Sequence, residues 1–248
     1  MNKIIGITIF SVLILALISV IFFSNLNEGK QKILSVEILG NKLLSNKDYM
    51  DFSGLYNLIG TDSLSLPLIR EKFLKHPYIK DANVELTSNH KVVVHLEEKE
   101  IVASLLKDSN SFFVTNEFRL LPVLENTKIN DYPVITNSTV TKIDFQSPVF
   151  NNDFKKAVKI IETAKLVSSD LYKNLSEINL RNGAEIVLYF SDMPQVFIGN
   201  DDLVLKLASL DALRKDNQKK DLLVNSDYVD LRYNENIFIG LHKEAGIN

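Results

Sequence analysis

The chain contains four histidines, and imidazoles at a suitable spacing would be the first candidates for metal binding or acid–base chemistry. No two of them have the His-Glu-x-x-His spacing that places two ligands on one face of a helix. We expect His76 at a helix end and His90 in a hairpin. His95 is expected on a strand face and His242 in the tail. Their dispersal predicts structural histidines and no metal centre.

Two acidic groups also have residue types that could do chemistry. Asp201 and Asp202 resemble a carboxylate pair for a metal, but carboxylates at the start of a helix are already explained by capping and by the helix dipole. The run 97–100, Glu-Glu-Lys-Glu, follows a predicted strand, where a solvated charge run is the simpler explanation. Neither group predicts a catalytic site.

The composition removes further classes of function. Cysteine is absent, which excludes a thiolate nucleophile, a disulfide framework and a cysteine metal site. No Gly-x-Ser-x-Gly or Walker-type loop occurs among the nine glycines. The net charge of -3, with both signs mixed along the chain, gives no basic stripe for nucleic acid. The sequence therefore predicts a protein without catalysis, cofactor or metal, whose function lies in a binding surface.

An apolar stretch near the amino terminus predicts a membrane anchor. Residues 4–23 contain no charge, and a helix of this length reaches about 30 Å, the thickness of a bilayer's hydrocarbon core. A cleaved signal peptide is the alternative, but its apolar region is shorter and ends in a small-x-small site, which is missing here. We favour an uncleaved anchor after a stub of residues 1–3. The flanking charges are nearly balanced and leave its orientation open.

After the anchor the pattern reads strand, helix, helix, strand, strand. Leu34, Val36 and Ile38 alternate with polar residues, as in a half-buried strand. Pro67 suits the first turn of the second helix, and the His-Pro pair at 76–77 ends that helix, because a residue before proline avoids the helical conformation. We predict these elements over 33–41, 45–55, 65–76, 79–86 and 90–98.

The remainder, 101–248, is predicted as a mostly antiparallel β-domain interrupted by two helices. Short apolar runs bounded by Asn, Asp, Gly or Pro indicate the strands. Helical spacing of apolar residues, with acidic residues at the start, predicts helices over 152–167 and 200–216. The fold class expected for the whole chain is therefore α+β: an amino-terminal transmembrane helix, a β-α-α-β-β domain and a β-domain.

This order of elements resembles a known family. The strand ending in Gly40-Asn41, the passage 76–84 and the exit strand 94–103 resemble a polypeptide-transport-associated (POTRA) domain, in particular that of the bacterial FtsQ/DivIB division proteins. The motif Gly199, Asp202, Lys206-Leu207, followed by "YVDLRY" at 228–233, is similar to the second domain of that family. Ile101 stands where the family usually has proline, a departure at an element boundary.

The resemblance implies the domain boundaries and the topology. We expect a cytoplasmic stub at 1–3, the anchor at 4–23, a POTRA domain at 32–100 and a β-domain at 101–248. Members of the family are single-pass proteins with the amino terminus in the cytoplasm and the bulk outside the inner membrane. The chain is therefore expected at the division septum, with the POTRA domain meeting other division proteins.

The last strands, 228–240, form the candidate binding site. A sheet edge offers unpaired backbone groups that a partner strand can use. Alternation predicts that Val229, Leu231 and Tyr233 face the core, leaving Tyr228 and Arg232 free. In the family this end of the β-domain receives a strand from FtsB, and the matching arginine and tyrosine belong to that site. The candidate partner-binding residues are Tyr228, Arg232, Tyr233, Ile237, Phe238, Ile239 and Gly240.

The function implied is a non-enzymatic scaffold of cell division that binds an FtsB/FtsL-type pair of coiled-coil proteins. The alternative is a POTRA-containing module of outer-membrane protein assembly or secretion. Against that alternative stand the single POTRA-like segment and the lack of a run of alternating ten-residue strands, which a transmembrane barrel requires. Which of the two last strands is outermost is left open by the sequence.

Overall fold

The computed structural model describes residues 10, 12–19, 32–87, 90–128, 130–199, 201–216, 218, 220–233 and 236–241. Residues 10 and 12–19 are helical, while the rest of the predicted anchor, 4–23, and the stub, 1–3, lie outside the described residues. Within the described ranges, no helix is both long and apolar enough to cross a membrane.

Two units make up the chain. The first holds the residues up to Asn41 together with Asn46–His76 and Asp81–Glu97, and the second holds Lys42–Ser45, Pro77–Lys80 and the residues from Glu98 onward. The two short segments join the second unit through backbone hydrogen bonds. Lys128 N–H donates to the Leu43 carbonyl, and Lys99 N–H donates to the Tyr78 carbonyl, each at 2.8 Å.

The first unit contains one strand, two helices and most of two further strands, in the predicted order. Their bounds are β1 Ser35–Leu39, α1 Asn46–Ser53, α2 Leu66–Leu74, β2 Ile79–Leu86 and β3 Lys91–Glu98. The sheet order is β1-β3-β2, with β1 parallel to β3. Helix α2 begins as its sequence predicts: Ser65 caps the Leu68 N–H, and Pro67 occupies the first turn. Its apolar face buries Ile69 and Phe73 in the core of this unit.

The second unit contains a nine-stranded sheet. Its strands are β4 Ile101–Lys107, β5 Asn110–Thr115, β6 Leu120–Pro122, β7 Val134–Thr136, β8 Leu175–Asn179, β9 Ile186–Phe190, β10 Gln195–Ile198, β11 Ser226–Leu231 and β12 Phe238–Leu241. The spatial order is β12-β11-β10-β9-β8-β7-β4-β5-β6. Five neighbouring pairs are antiparallel and three are parallel, namely β10/β11, β4/β7 and β7/β8. The sheet is therefore mostly antiparallel, as the sequence predicts, with three parallel pairs that the sequence pattern does not indicate.

The described part of the second unit contains four helices where the sequence pattern predicts two. They are α3 Asn152–Val167, α4 Ser169–Asn174, α5 Leu203–Lys215 and α6 Lys220–Val224. Helix α3 has the predicted bounds, because Asn151 caps the Phe154 N–H and Phe154 begins an apolar face that packs on the sheet. Helix α4 is too short for a periodic pattern, although Ser168 caps it through the Leu171 N–H.

Candidate partner-binding site

The histidines that the structure describes lie apart from one another. His76 is buried against two aromatic rings, with its ring centroid 4.7 Å from that of Tyr49 and 4.4 Å from that of Phe52. His90 and His95 are exposed near and on β3, and His242 lies outside the described residues. Among the described residues, no group of three or more histidine or acidic side chains could hold a metal ion.

The acidic run at 97–100 is not simply a solvated charge run, so that expectation was wrong. The Glu98 carboxylate accepts hydrogen bonds from the backbone N–H groups of Lys42 and Leu43, at 2.9 and 3.0 Å. The Glu100 carboxylate forms an ion pair with Lys165 at 2.6 Å. These carboxylates join segments that are distant in sequence, a structural role that local pattern does not reveal.

The expected capping by Asp202 is also corrected by the structure. Asp202 occupies the N-cap position of α5, but its backbone is left-handed, with φ of 47°, and its side chain makes no capping hydrogen bond. Capping therefore does not account for the acidic residue at this position.

The outermost strand at the carboxyl-terminal side of the sheet is β12. It pairs with β11 in antiparallel register, with Tyr228 opposite Gly240 and Asp230 opposite Phe238. In the part of the chain that the structure describes, no strand pairs with the other side of β12. The Tyr228 ring lies so close to Gly240 that a Cβ at this position would collide with it. Glycine at 240 therefore leaves room for the tyrosine ring against the edge strand.

An arginine and a carboxylate are tightly paired beside this edge. The Arg232 guanidinium donates to the Asp230 carboxylate, with Nη2 at 2.6 Å and Nε at 3.0 Å from its oxygens, and also reaches Glu185 at 3.4 Å. These hydrogen bonds hold the pKa of Asp230 below its ordinary value, although burial acts to raise it. Arg232 is therefore preorganised by its own chain and is not the free cation that strand alternation predicts.

Aromatic side chains surround Arg232. Its Cζ atom lies 5.1 Å from the centroid of the Phe197 ring, and that ring meets Tyr228 edge-to-face with centroids 5.7 Å apart. Phe197 was missed by sequence reasoning. Its place became evident only from the parallel pairing of β10 with β11, in which Phe197 is opposite Asp230.

The seven predicted partner-binding residues divide by exposure. Tyr228, Tyr233 and Phe238 are 38%, 59% and 51% exposed, so the prediction that Tyr233 faces the core is wrong. Strand β11 ends at Leu231, and the alternation ends with it. Of the other four, Arg232 is partly exposed, Gly240 is half-buried beneath Tyr228, and the core packs against Ile237 and Ile239. Strand β12 itself presents outward its backbone and the exposed side chains of Phe238 and Leu241.

A cavity of about 390 Å³ opens beside the end of β11 and the start of α5. Its apolar wall includes Leu205, Tyr233 and Ile237, and its polar wall includes Asp202 and Lys206. Two of the lining residues, Tyr233 and Ile237, lie between β11 and β12 in the sequence, and Ile237 directly precedes β12. The sequence gives no signal for this cavity, since α5 and the segment after β11 are brought together only by the crossover between β10 and β11.

The β-α-α-β-β unit, followed by a helix-backed mixed sheet, defines a POTRA-containing protein. A family model for the FtsQ-type POTRA domain matches residues 31–99, and one for the carboxyl-terminal domain of cell division protein FtsQ/DivIB matches 105–232. The chain belongs to the FtsQ/DivIB family of cell division proteins. Members of this family are non-enzymatic division proteins. Membership in the family implies a membrane protein associated with the septum.

Two relatives agree with this assignment. Cell division protein DivIB of Clostridium tetani is 22% identical over 170 residues, covering 67% of this chain and 63% of the relative. Cell division protein FtsQ of Geotalea daltonii is 23% identical over 210 residues, covering 84% of this chain and 75% of the relative. The chain thus spans less than two thirds of the length of the first relative.

Proposed function

We propose that this protein is a non-enzymatic scaffold of the division septum that binds an FtsB/FtsL-type complex through the edge of β12. In this proposal residues 4–23 anchor it in the inner membrane, with residues 1–3 in the cytoplasm and the bulk outside. The POTRA domain, 32–100, meets other division proteins, and the β-domain, 101–248, supports septal peptidoglycan synthesis by holding its partner in place.

The observation that carries the proposal is the position of β12. An edge strand has a row of backbone N–H and C=O groups that an incoming strand can pair with, and native proteins usually blunt such an edge with proline or inward charges. Phe238–Leu241 contains neither. Because Gly240 has no Cβ, the Tyr228 ring packs directly on this strand.

Chemistry beside the edge favours a partner with both apolar and acidic side chains. The exposed rings of Tyr228 and Phe238 offer apolar area, and aromatic residues dominate the energetics of protein interfaces. Arg232 is held in position by Asp230 and keeps 45% of its side chain exposed. A preorganised arginine loses little side-chain entropy when it binds a partner carboxylate.

Proline substitutions test strand addition directly. Successive N–H groups of a strand point to opposite sides, so Phe238→Pro and Ile239→Pro remove one donor that faces β11 and one that faces outward. Loss of the outward donor is expected to abolish binding of the FtsB-type partner while the melting temperature of the full-length chain changes little. Binding is measured by pull-down and titration of the purified partner, with Phe238→Leu as the control that keeps the backbone donor.

The control and the proline variants together decide the outcome. Phe238→Leu is expected to bind within a few-fold of the parent chain, because it retains an apolar side chain and the ladder donor. Binding that survives both proline variants would rule out strand addition at β12. A fluorescent fusion of the full-length chain provides a cellular check, since the proposal expects a midcell band and an envelope-assembly role expects a uniform envelope signal.

A further inference from the structure

Among the residues that the structure describes, Lys206 is a buried basic side chain without a hydrogen-bond partner. It lies on α5, is 7% exposed, and its Nζ has no hydrogen-bond partner among the described residues. A buried ammonium without a partner is costly, because it loses its hydration and gains nothing in exchange. Within the described part of the chain Arg214 Nε also lacks a partner, but its guanidinium is already held by three carboxylates. The burial of the Lys206 ammonium therefore needs an explanation, whereas that of Arg214 is explained by its carboxylate partners.

The Lys206 ammonium lies near the end of β10 and the segment that follows β11. A Cβ at Gly199 would be 2.8 Å from Lys206 Nζ and 3.1 Å from the Arg232 carbonyl oxygen, so the ammonium lies directly beside Gly199. The carboxyl-terminal ends of parallel strands, beside the start of the crossover helix, are where open sheets commonly bind ligands. The 390 Å³ cavity lined by Lys206 opens at this place.

We infer that this cavity receives an aspartate or glutamate side chain of the partner segment that pairs with β12, and that Lys206 binds its carboxylate. The inference rests on the proposed function and names a recognition contact for it. Leu205, Tyr233 and Ile237 form the apolar wall beside the ion pair. The lysine stem has several rotatable bonds, so the ammonium can turn from Gly199 into the cavity when an anion arrives.

The charge of the cavity favours a carboxylate over a phosphate. Asp202 lines the same cavity, and within the described ranges it forms no hydrogen bond with Lys206 Nζ. A single ammonium can neutralise a group of one negative charge, whereas a dianion would keep excess charge beside Asp202. An acidic side chain carried by the strand-adding segment is therefore the occupant that matches both the charge and the position.

Lys206→Met provides the main test, because methionine keeps most of the stem and removes the ammonium. We expect the melting temperature of the full-length chain to stay equal or rise, since an unpaired buried charge is lost. Affinity for the FtsB-type partner, measured by titration calorimetry, is expected to fall about tenfold to a hundredfold, the range for one charge-assisted hydrogen bond. Ser209→Ala alters the same cavity without a charge and is expected to bind within about twofold of the parent chain.

Two further variants determine whether the contact is electrostatic. Asp202→Asn removes the like charge and is expected to leave the affinity unchanged or to tighten it. The partner's acidic residues are replaced one at a time by their amides, and the affinity of each variant is measured for the parent chain and for Lys206→Met. We expect one replacement that weakens binding to the parent chain but not to Lys206→Met, as a double-mutant cycle requires for two residues in contact.

The outcomes separate this inference from the proposed function. If the parent chain does not bind the FtsB-type partner, the proposed function fails. If the parent chain binds, a proline in β12 abolishes binding, and Lys206→Met binds as tightly as the parent, then the proposed function stands and the Lys206 contact is wrong. A marked fall in the melting temperature of Lys206→Met would also overturn it, because the lysine would then be stabilising the fold.

Discussion

Arg214 and Arg232 each hold carboxylates, but the first is enclosed and the second is presented to the surface. Only 9% of the Arg214 side chain is exposed, and it pairs with Asp170, Asp192 at 2.6 Å and Asp211 at 3.2 Å. Arg232 keeps 45% of its side chain exposed and pairs closely with Asp230, at 2.6 Å, and less closely with Glu185, at 3.4 Å. Arg214 thus links parts of the fold, whereas Arg232 is held in position at the surface.

The partners of Arg214 come from separate elements, whereas those of Arg232 are largely local. Asp170 belongs to α4, Asp192 follows β9, and Asp211 lies on α5, so one guanidinium joins three segments. Asp230 is two residues from Arg232 in the sequence. Loss of Arg214 therefore threatens the packing of the second unit, while loss of Arg232 mainly changes what the surface can bind.

The largest expected effect is that of Arg214→Met on stability. Removing the guanidinium leaves the Asp211 carboxylate, 11% exposed, without one of its two cationic partners. Breaking a buried ion pair in this way costs about 3–5 kcal/mol of the free energy of unfolding. Chemical denaturation of the full-length chain measures it, with Arg181→Met, an exposed arginine outside this cluster, as the control at under about 0.5 kcal/mol. Equal losses in the two variants would contradict the structural role.

Arg232→Glu is expected to act mainly on binding. If Arg232 meets a partner carboxylate, the reversed charge weakens the complex by about 2–5 kcal/mol, much of it from like-charge repulsion. Glutamate at 232 also repels the buried Asp230, which lowers the free energy of unfolding by about 1 kcal/mol. The effect on binding must therefore be separated from this effect on stability. Pull-down and denaturation are therefore compared with Asp230→Asn, which releases Arg232 without reversing its charge. Undiminished binding by Arg232→Glu would remove Arg232 from the site.

The pH dependence of stability should reveal the carboxylates held by both arginines. Burial acts to raise the pKa of Asp211, but hydrogen bonds from Lys215 and Arg214 outweigh it, so the pKa lies below its ordinary value, as does that of Asp230. An aspartate whose pKa is lowered by folding stabilises the folded state fully at pH values above its unfolded pKa of about 3.9. This stabilisation is lost as the pH falls through the lower pKa of the folded state. Melting temperatures should drop below about pH 4.

Asparagine variants assign that drop to its source. Asp211→Asn and Asp230→Asn are each expected to flatten the fall in melting temperature on the acid side, because the amide does not titrate. At pH 7 the same variants are less stable than the parent chain, since the charge-assisted hydrogen bonds are lost. A slope unchanged in both variants would assign the acid sensitivity to other carboxylates.

Local pattern was enough for much of this fold. The bounds of α3 follow from its apolar spacing and from the Asn151 cap. The order of elements in the first unit and the presence of strands at both ends of 228–241 also follow from alternation and turn residues. These features depend on neighbours in sequence, which is the information that a single chain displays.

The surroundings of the candidate site could not be predicted in the same way. Asp230 is buried although alternation places it opposite the core, because Arg232 neutralises it and Phe197 lies across from it on β10. The cavity at Lys206 depends on the crossover from β10 through α5 to β11. Long-range pairing decides both features, and a one-dimensional pattern contains little information on which strands become neighbours.

The smallest expected effect comes from the ion pair between Lys165 and Glu100. Like the Arg214 cluster it joins distant parts of the chain, at 2.6 Å, but 55% and 50% of the two side chains are exposed. Water already solvates both charges, and an exposed pair contributes only about 0–1 kcal/mol. Lys165→Met should therefore change the free energy of unfolding by less than about 1 kcal/mol. A loss as large as that of Arg214→Met would mean that linking distant segments, and not burial, determines what an ion pair contributes in this protein.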